Sequence, residues 1–160
     1  IAMGSAFLTV VGQSMGAGDI PAARYYMQKL WRMTYLGSVL WNLVTLFLIQ
    51  PILPLFSLSA ATRPMGGILV LMHNVGNAVL CATAFALSDG LRAAGDAGYT
   101  MYATLFGTVV CRVFFSVVFG IWLNLGVYGI TLAMVGDWLV KALLILLRYR
   151  SGRWTAFRVI

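Results

Sequence analysis

The chain has 160 residues, 61% of them hydrophobic and only 9% charged, with a mean hydropathy of +0.92. A soluble domain is about a quarter charged because its surface faces water; a chain with no glutamate and four aspartates faces a bilayer instead. The net charge of +7 does not point to nucleic acid, because the basic residues lie between apolar blocks rather than along one soluble face.

A helix needs roughly 20 apolar residues to cross the hydrocarbon core. Residues 1–13 are apolar but too few, so they read as the end of a span in a longer protein whose remainder lies upstream of Ile1. A Gly-rich connection over 14–24 follows, with Asp19 placed to cap the next helix and Pro21 in its first turn. A polar helical run from Ala22 leads into a span at 33–53, where Asn42 interrupts the apolar run and reads as a helix–helix contact. Residues 51–64 hold three prolines and form a loop; a span follows at 66–86 and a charged, Gly-containing loop at 88–97. The spans at 99–123 and 127–147 are joined by a tight turn at 124–129, and residues 148–160 form a basic tail. The expected fold class is therefore all-α, a polytopic membrane bundle with four complete spans and one truncated one, treated as a single unit over 1–160. Cys81 and Cys111 sit inside apolar blocks and read as packing residues.

Basic residues alternate between connections. The first connection has Arg24 with Lys29 and Arg32 close by, the third has Arg92, and the tail has Arg148, Arg150, Arg153 and Arg158; the second has only Arg63 and the fourth none. The positive-inside rule then puts the first and third connections and the C-terminus in the cytoplasm. Trp31, Trp122 and Trp154 fall near the expected interfaces. Gly16-Ala17-Gly18-Asp19 is echoed by Ala93-Ala94-Gly95-Asp96, which suggests two similar turns, each with a carboxylate at a helix N-terminus.

Three features could carry chemistry. Arg112 lies 11 residues from residue 123 and Asp137 lies 10 residues from residue 127. Across a short turn the two therefore reach nearly the same depth, close to the midplane. An unpaired charge there costs at least about 2.5–3.5 kcal/mol, so pairing is expected, with Lys141 one turn along from Asp137 as a second partner. The pair is either a structural tie or a proton or cation relay. His73 and Asn77 share a face of the 66–86 span, with Asn74 and Cys81 on an adjacent stripe and Thr83 further down; such deep polar groups line a cavity or meet a neighbouring helix. No other suitable ligand accompanies His73, so no metal site is expected. The run from Gly12 and Gln13 to Asp19 lacks the Lys-Ser/Thr of a phosphate-binding loop and follows no strand, which leaves a tight turn. No nucleophile–base–acid constellation exists, so an enzyme is not expected.

In order along the chain, Val11-Gly12-Gln13-Ser14-Met15-Gly16-Ala17-Gly18-Asp19 with Ala22-Ala23-Arg24, Leu91-Arg92-Ala93-Ala94-Gly95-Asp96, Cys111-Arg112-Val113, Leu125-Gly126-Val127-Tyr128-Gly129, and Asp137-Trp138 with Lys141 and Arg148-Tyr149-Arg150-Ser151-Gly152-Arg153-Trp154 resemble the multidrug and toxic compound extrusion (MATE) family. The resemblance implies two six-helix lobes, of which this chain would be the C-terminal one from the end of the eighth helix to the twelfth. It also implies export of organic cations in exchange for sodium ions or protons, with no cofactor beyond that coupling ion, and a location in the cell (plasma or inner) membrane. It would place His73, Asn74 and Asn77 at or near the substrate cavity, and it leaves Asp137, the only intramembrane acid, either to serve in a relay on the ion pathway or simply to neutralise Arg112 and Lys141. Gln13, Gly16, Gly18, Asp19, Gly95 and Asp96 would be structural loop motifs. The implied partners are the bilayer, a small organic cation and the N-terminal lobe of the same protein. One departure stands out: certain relatives use acidic residues in the seventh and tenth helices, and the tenth, read here as 66–86, has no carboxylate.

The same features leave two alternatives. A flippase of lipid-linked oligosaccharides or polysaccharides, from the same superfamily, would need free cations for pyrophosphate, with Arg112 as the candidate. A purely structural membrane subunit would need none of this chemistry.

Overall fold

The computed structural model describes residues 2–56 and 62–157. Ile1, Arg158 and the middle of the 51–64 loop lie outside the described residues. Among the described residues five helices run in sequence: α1 (Ala2–Gly16), α2 (Ile20–Leu55, whose last residues tighten into a 3₁₀ turn), α3 (Thr62–Ala93), α4 (Ala97–Trp122) and α5 (Gly126–Arg150). A 3₁₀ turn, Arg153–Ala156, follows. Four of these helices are long and apolar enough to cross a membrane, which agrees with the all-α reading.

The helices are longer than the hydropathy spans. The polar run before residue 33 is continuous with α2, which has 36 residues, roughly 54 Å at about 1.5 Å per residue against a hydrocarbon core of about 30 Å. The loop expected at 88–97 shrinks to a turn, because α3 continues to Ala93. Asp89 therefore lies on the same helix as residues 66–86, and the expectation that this helix lacks a carboxylate is corrected. Hydropathy marks only the part of a helix immersed in hydrocarbon, and polar turns beyond it are still helical. Asp89 pairs with Arg92 at 3.6 Å and lies against Gly4 of α1, where an added Cβ would sit 2.5 Å from its Oδ2.

Packing follows chain order. α2 lies against α1 and α3; α3 packs on α2 and α5, with its last turns on α1; α4 lies along α5. α3 and α5 are the inner helices, whereas α2 and α4 expose rows of Leu, Val and Phe, as lipid-facing helices do. The buried apolar cluster gathers at the end that carries the basic residues, around Phe7, Met27, Leu87, Leu91 and Ile145. Gly90 makes this possible, because a Cβ there would collide with Met27 and Phe7. Trp154 belongs to the same cluster at 2% exposure; it is a core residue and not an interfacial anchor. Its indole donates to the Tyr149 carbonyl at 3.1 Å and its ring stacks on Tyr149. Trp122, by contrast, is exposed.

Asn42 is buried, but its amide donates back to the Ser38 carbonyl at 2.7 Å, so its hydrogen bond stays within α2 and does not bridge helices. The bridge between α2 and α3 comes instead from the Tyr35 hydroxyl, which donates to the Val79 carbonyl at 3.0 Å.

At the α4–α5 hairpin, Asn124 and Gly126 both take positive φ of 53°. The helices meet so closely there that a Cβ on Gly129 would lie 2.5 Å from the Phe119 carbonyl carbon and oxygen. Backbone cannot swing aside as a side chain can, so Gly129→Ala in the complete protein should cost about 1–3 kcal/mol, read as a fall in Tm in detergent. Gly98→Ala is the control: nothing lies within 4 Å of the point a Cβ would occupy there, and its Tm should hold or rise slightly.

Candidate functional site: an intramembrane charge cluster

The hairpin register brings Arg112 and Asp137 together as expected. Arg112 Nε donates to Asp137 Oδ2 at 2.6 Å. The Lys141 ammonium approaches Oδ1 at 2.7 Å, as an ion pair and not a directed hydrogen bond. The Asp137 side chain is 0% exposed and that of Lys141 4%, whereas Arg112 is 39% exposed. Asp137 stands at the middle of the 25-residue α5. One carboxylate thus holds two cations, with Asp137 and Lys141 buried and Arg112 partly exposed, and each contact offsets part of the cost of burying the others.

Lys141 is held by more than its charge. Its ammonium lies 5.5 Å from the centre of the Phe85 ring, a cation–π contact that gains strength away from water. Its aliphatic stem fills the space over Gly107, where a Cβ would meet Cγ at 2.6 Å. Phe85 and Gly107 each lie in a π-helical turn, Ala82–Ala86 and Phe106–Cys111. Such turns insert an extra residue into a helix and occur often at functional sites; here two of them bracket one buried lysine.

The polar stripe on α3 meets this cluster through Trp138. The His73 ring stands edge-on to Trp138 at 5.2 Å, and Phe85 meets the same indole at 6.0 Å. Asn74 is buried and donates to the Val70 carbonyl at 3.0 Å; Asn77 is half-buried and Thr83 is buried. A groove of about 490 Å³ between α3 and α5 is lined by apolar side chains such as Leu71, Val75, Val79 and Leu139, and none of His73, Asn74 and Asn77 is among them. Cys81 and Cys111 are free thiols. Among the described residues, no three His, Cys or Asp side chains gather into a potential metal site.

The two echoed turns have the same backbone. Gly18 and Gly95 take φ of +74° and +94°. Asp19 N–H bonds the Ser14 carbonyl and Gly18 N–H that of Met15; Asp96 N–H bonds the Leu91 carbonyl and Gly95 N–H that of Arg92. Both are Schellman closures, in which glycine supplies the left-handed residue. Gln13 and Gly16 lie in α1 itself; the connection they were assigned to is only three residues long.

The carboxylates that follow these turns behave differently. Asp19 accepts from the Ala22 N–H at 2.9 Å and caps α2. Asp96 does not cap α4 with its side chain, which corrects the expectation of twin caps. It takes the Arg148 guanidinium on both oxygens, at 2.6 and 3.2 Å. Arg148 lies 4.8 Å over the Tyr99 ring, and the Tyr99 hydroxyl donates to the Leu144 carbonyl at 3.1 Å. In the sequence Arg148 stands out only as a topology marker. Counted from the same hairpin, Asp96 lies 27 residues from residue 123 and Arg148 only 21 from residue 127, so the register argument that pairs Arg112 with Asp137 does not find this second pair.

Two contrasts test these assignments. Asp137→Asn leaves Arg112 and Lys141 without a counter-charge, a loss of about 3–5 kcal/mol that should appear as a sharp fall in the level of folded complete protein. Lys141→Met keeps the Arg112–Asp137 pair and the stem over Gly107, and should cost less than about 1.5 kcal/mol. At the basic end, Asp19→Asn should leave Tm almost unchanged, because asparagine caps as well as aspartate. Asp96→Asn should lower Tm clearly, since it removes the charge that Arg148 grips.

The sequence model of the MatE family matches residues 1–118 of this chain. No solved structure matches it.

Proposed function

The chain belongs to the MatE family of membrane transporters, and from that premise we propose that it is part of a secondary antiporter that exports organic cations in exchange for protons or sodium ions. In the proposed cycle the lobe formed by these helices rocks against the N-terminal lobe of the same protein, and ion binding biases the swing. The basic connections and tail would face the cytoplasm of a cell whose plasma or inner membrane holds the protein.

The observation that carries this reading over the flippase is the Arg112–Asp137 contact at 2.6 Å. A flippase must grip a pyrophosphate and needs cations free to do so. Here Arg112, the cation that reading would use, is tied to Asp137, and Lys141 is buried against the same carboxylate, so the one positive charge the cluster keeps in excess is not presented as a free side chain. A cationic substrate makes no such demand. We assign Arg112, Asp137 and Lys141 to a fixed tie between α4 and α5 beside the ion pathway. His73, Asn74 and Asn77 are the polar groups we assign to the substrate path, with His73 touching Trp138 at the cluster's edge.

The test uses the complete gene product in whole cells loaded with ethidium. Efflux should collapse when the proton and sodium gradients are both dissipated. Efflux that ignored both gradients would sink the antiport reading. A relay at Asp137 would be revealed by an Asp137→Asn protein that stays abundant but shifts the pH dependence of efflux; with the tie, abundance is what falls.

A further inference from the structure

Each of the four aspartates in the sequence already has work. Asp19 caps α2, Asp89 pairs with Arg92, Asp96 grips Arg148, and Asp137 holds Arg112 and Lys141. The net charge of +7 thus rests on cations for which the chain has no carboxylate to spare. Several of these stand at the basic end, on α2 and at the end of α5. They are not equivalent: on α2 two of them share an outward face that also carries its own apolar groove.

That face repeats at helical spacing. Met27 and Ala23 point into the core, while Tyr25, Lys29, Arg32, Met33 and Leu36 point outward. Tyr25 is 59% exposed and Leu36 71%. The Lys29 ammonium lies 5.6 Å from the Tyr25 ring centre, which holds the cation on this face. A groove of about 290 Å³ runs from Tyr25 past Lys29 and Arg32 to Met33 and Leu36. A second, of about 380 Å³, lies on the other flank of the same Arg32–Leu36 ridge, against Trp31 and Tyr35. Arg32 and Leu36 are one turn apart, so the chemistry changes from cationic to apolar within about 6 Å along the helix.

This gradient coincides with the place where α2 enters hydrocarbon, at the start of its apolar span. A ligand that fits must carry negative charge at one end and a hydrocarbon chain at the other, and must be present at the membrane surface. We propose that this face of α2 binds an acidic phospholipid, with its phosphate on Lys29 and Arg32 and an acyl chain along Met33 and Leu36. Juxtamembrane basic clusters attract anionic headgroups through charge alone. The site adds the groove and the tyrosine-held lysine, which give one lipid a defined seat. The proposal does not depend on the transported substrate.

The experiment is native mass spectrometry of the complete protein, purified in mild detergent and titrated with equal amounts of phosphatidylglycerol and phosphatidylcholine. Phosphatidylglycerol should be retained in preference. In the Lys29→Ala/Arg32→Ala protein that preference should fall about tenfold or more, given the attraction per surface cation. The Arg150→Ala/Arg153→Ala protein removes the same charge from the same end and should stay within about twofold of wild type, since these residues lie off the grooves. Both variants should be checked for unchanged Tm, and Lys29→Gln/Arg32→Gln serves if the alanine pair is unstable. Equal losses in the two double variants would mean diffuse charge and overturn the proposal. A wild-type protein with no preference would also overturn it, since Lys29 and Arg32 would then be neutralised by another part of the protein.

Discussion

The placement of Asp137 between Arg112 and Lys141 is the constraint from which much of the arrangement follows. A bilayer cannot solvate a charge at its centre, so the three groups must satisfy one another or not be there. That requirement fixes the register of α4 on α5, because sliding one helix by a turn would separate Nε from Oδ2 by more than a hydrogen bond can span. It also accounts for features around the cluster that lack an obvious purpose alone. Gly107 is the bare backbone over which the Lys141 stem lies, and Phe85 supplies a π face to the ammonium. Both sit in π turns, which re-aim side chains that a regular α-helix would direct elsewhere.

The basic end is held by a second device built on the same hairpin. Asp96 and Arg148 close α4 and α5 together, Tyr99 stacks under the guanidinium, and Trp154 turns back to bury itself against Tyr149. The chain therefore packs tightly at one end, where polar groups can also reach interfacial water, and more loosely toward the other, where lipid or further protein must cover the apolar rows of α2 and α4. The two ends of the hairpin are each defined: by close backbone contact at Gly129 and by a bidentate ion pair at Arg148. The cluster at mid-depth sits between them.

Membership of the MatE family and this geometry constrain function together. The family gives transport; the charge geometry bears on what kind. With every aspartate committed to a local cation or a helix end, the described residues hold little free negative charge with which to attract a cationic substrate. In the proposed antiporter, recognition on this side therefore depends on aromatic and neutral polar groups such as Trp138, His73 and Asn77, while the charges act on structure.

The sequence alone determined the number of spans, their order, which connections share a side, and the meeting of Arg112 with Asp137. These are one-dimensional properties: hydropathy integrates along the chain, and depth in a hairpin is a count of residues at a fixed rise. It also determined both glycine turns, because a left-handed closing residue is a local demand. It did not determine how far the helices extend beyond hydrocarbon, which moved Asp89 onto α3 and turned two expected loops into three-residue turns. Nor could it separate Asp19 from Asp96. Their local sequences match, and each could cap a helix; only the approach of α5 brings Arg148 within reach of one and not the other. The same holds for Trp154, which has an interfacial residue's composition but a core residue's neighbours. Such choices are made by contacts between helices far apart in the chain, and those exist only once the bundle has formed.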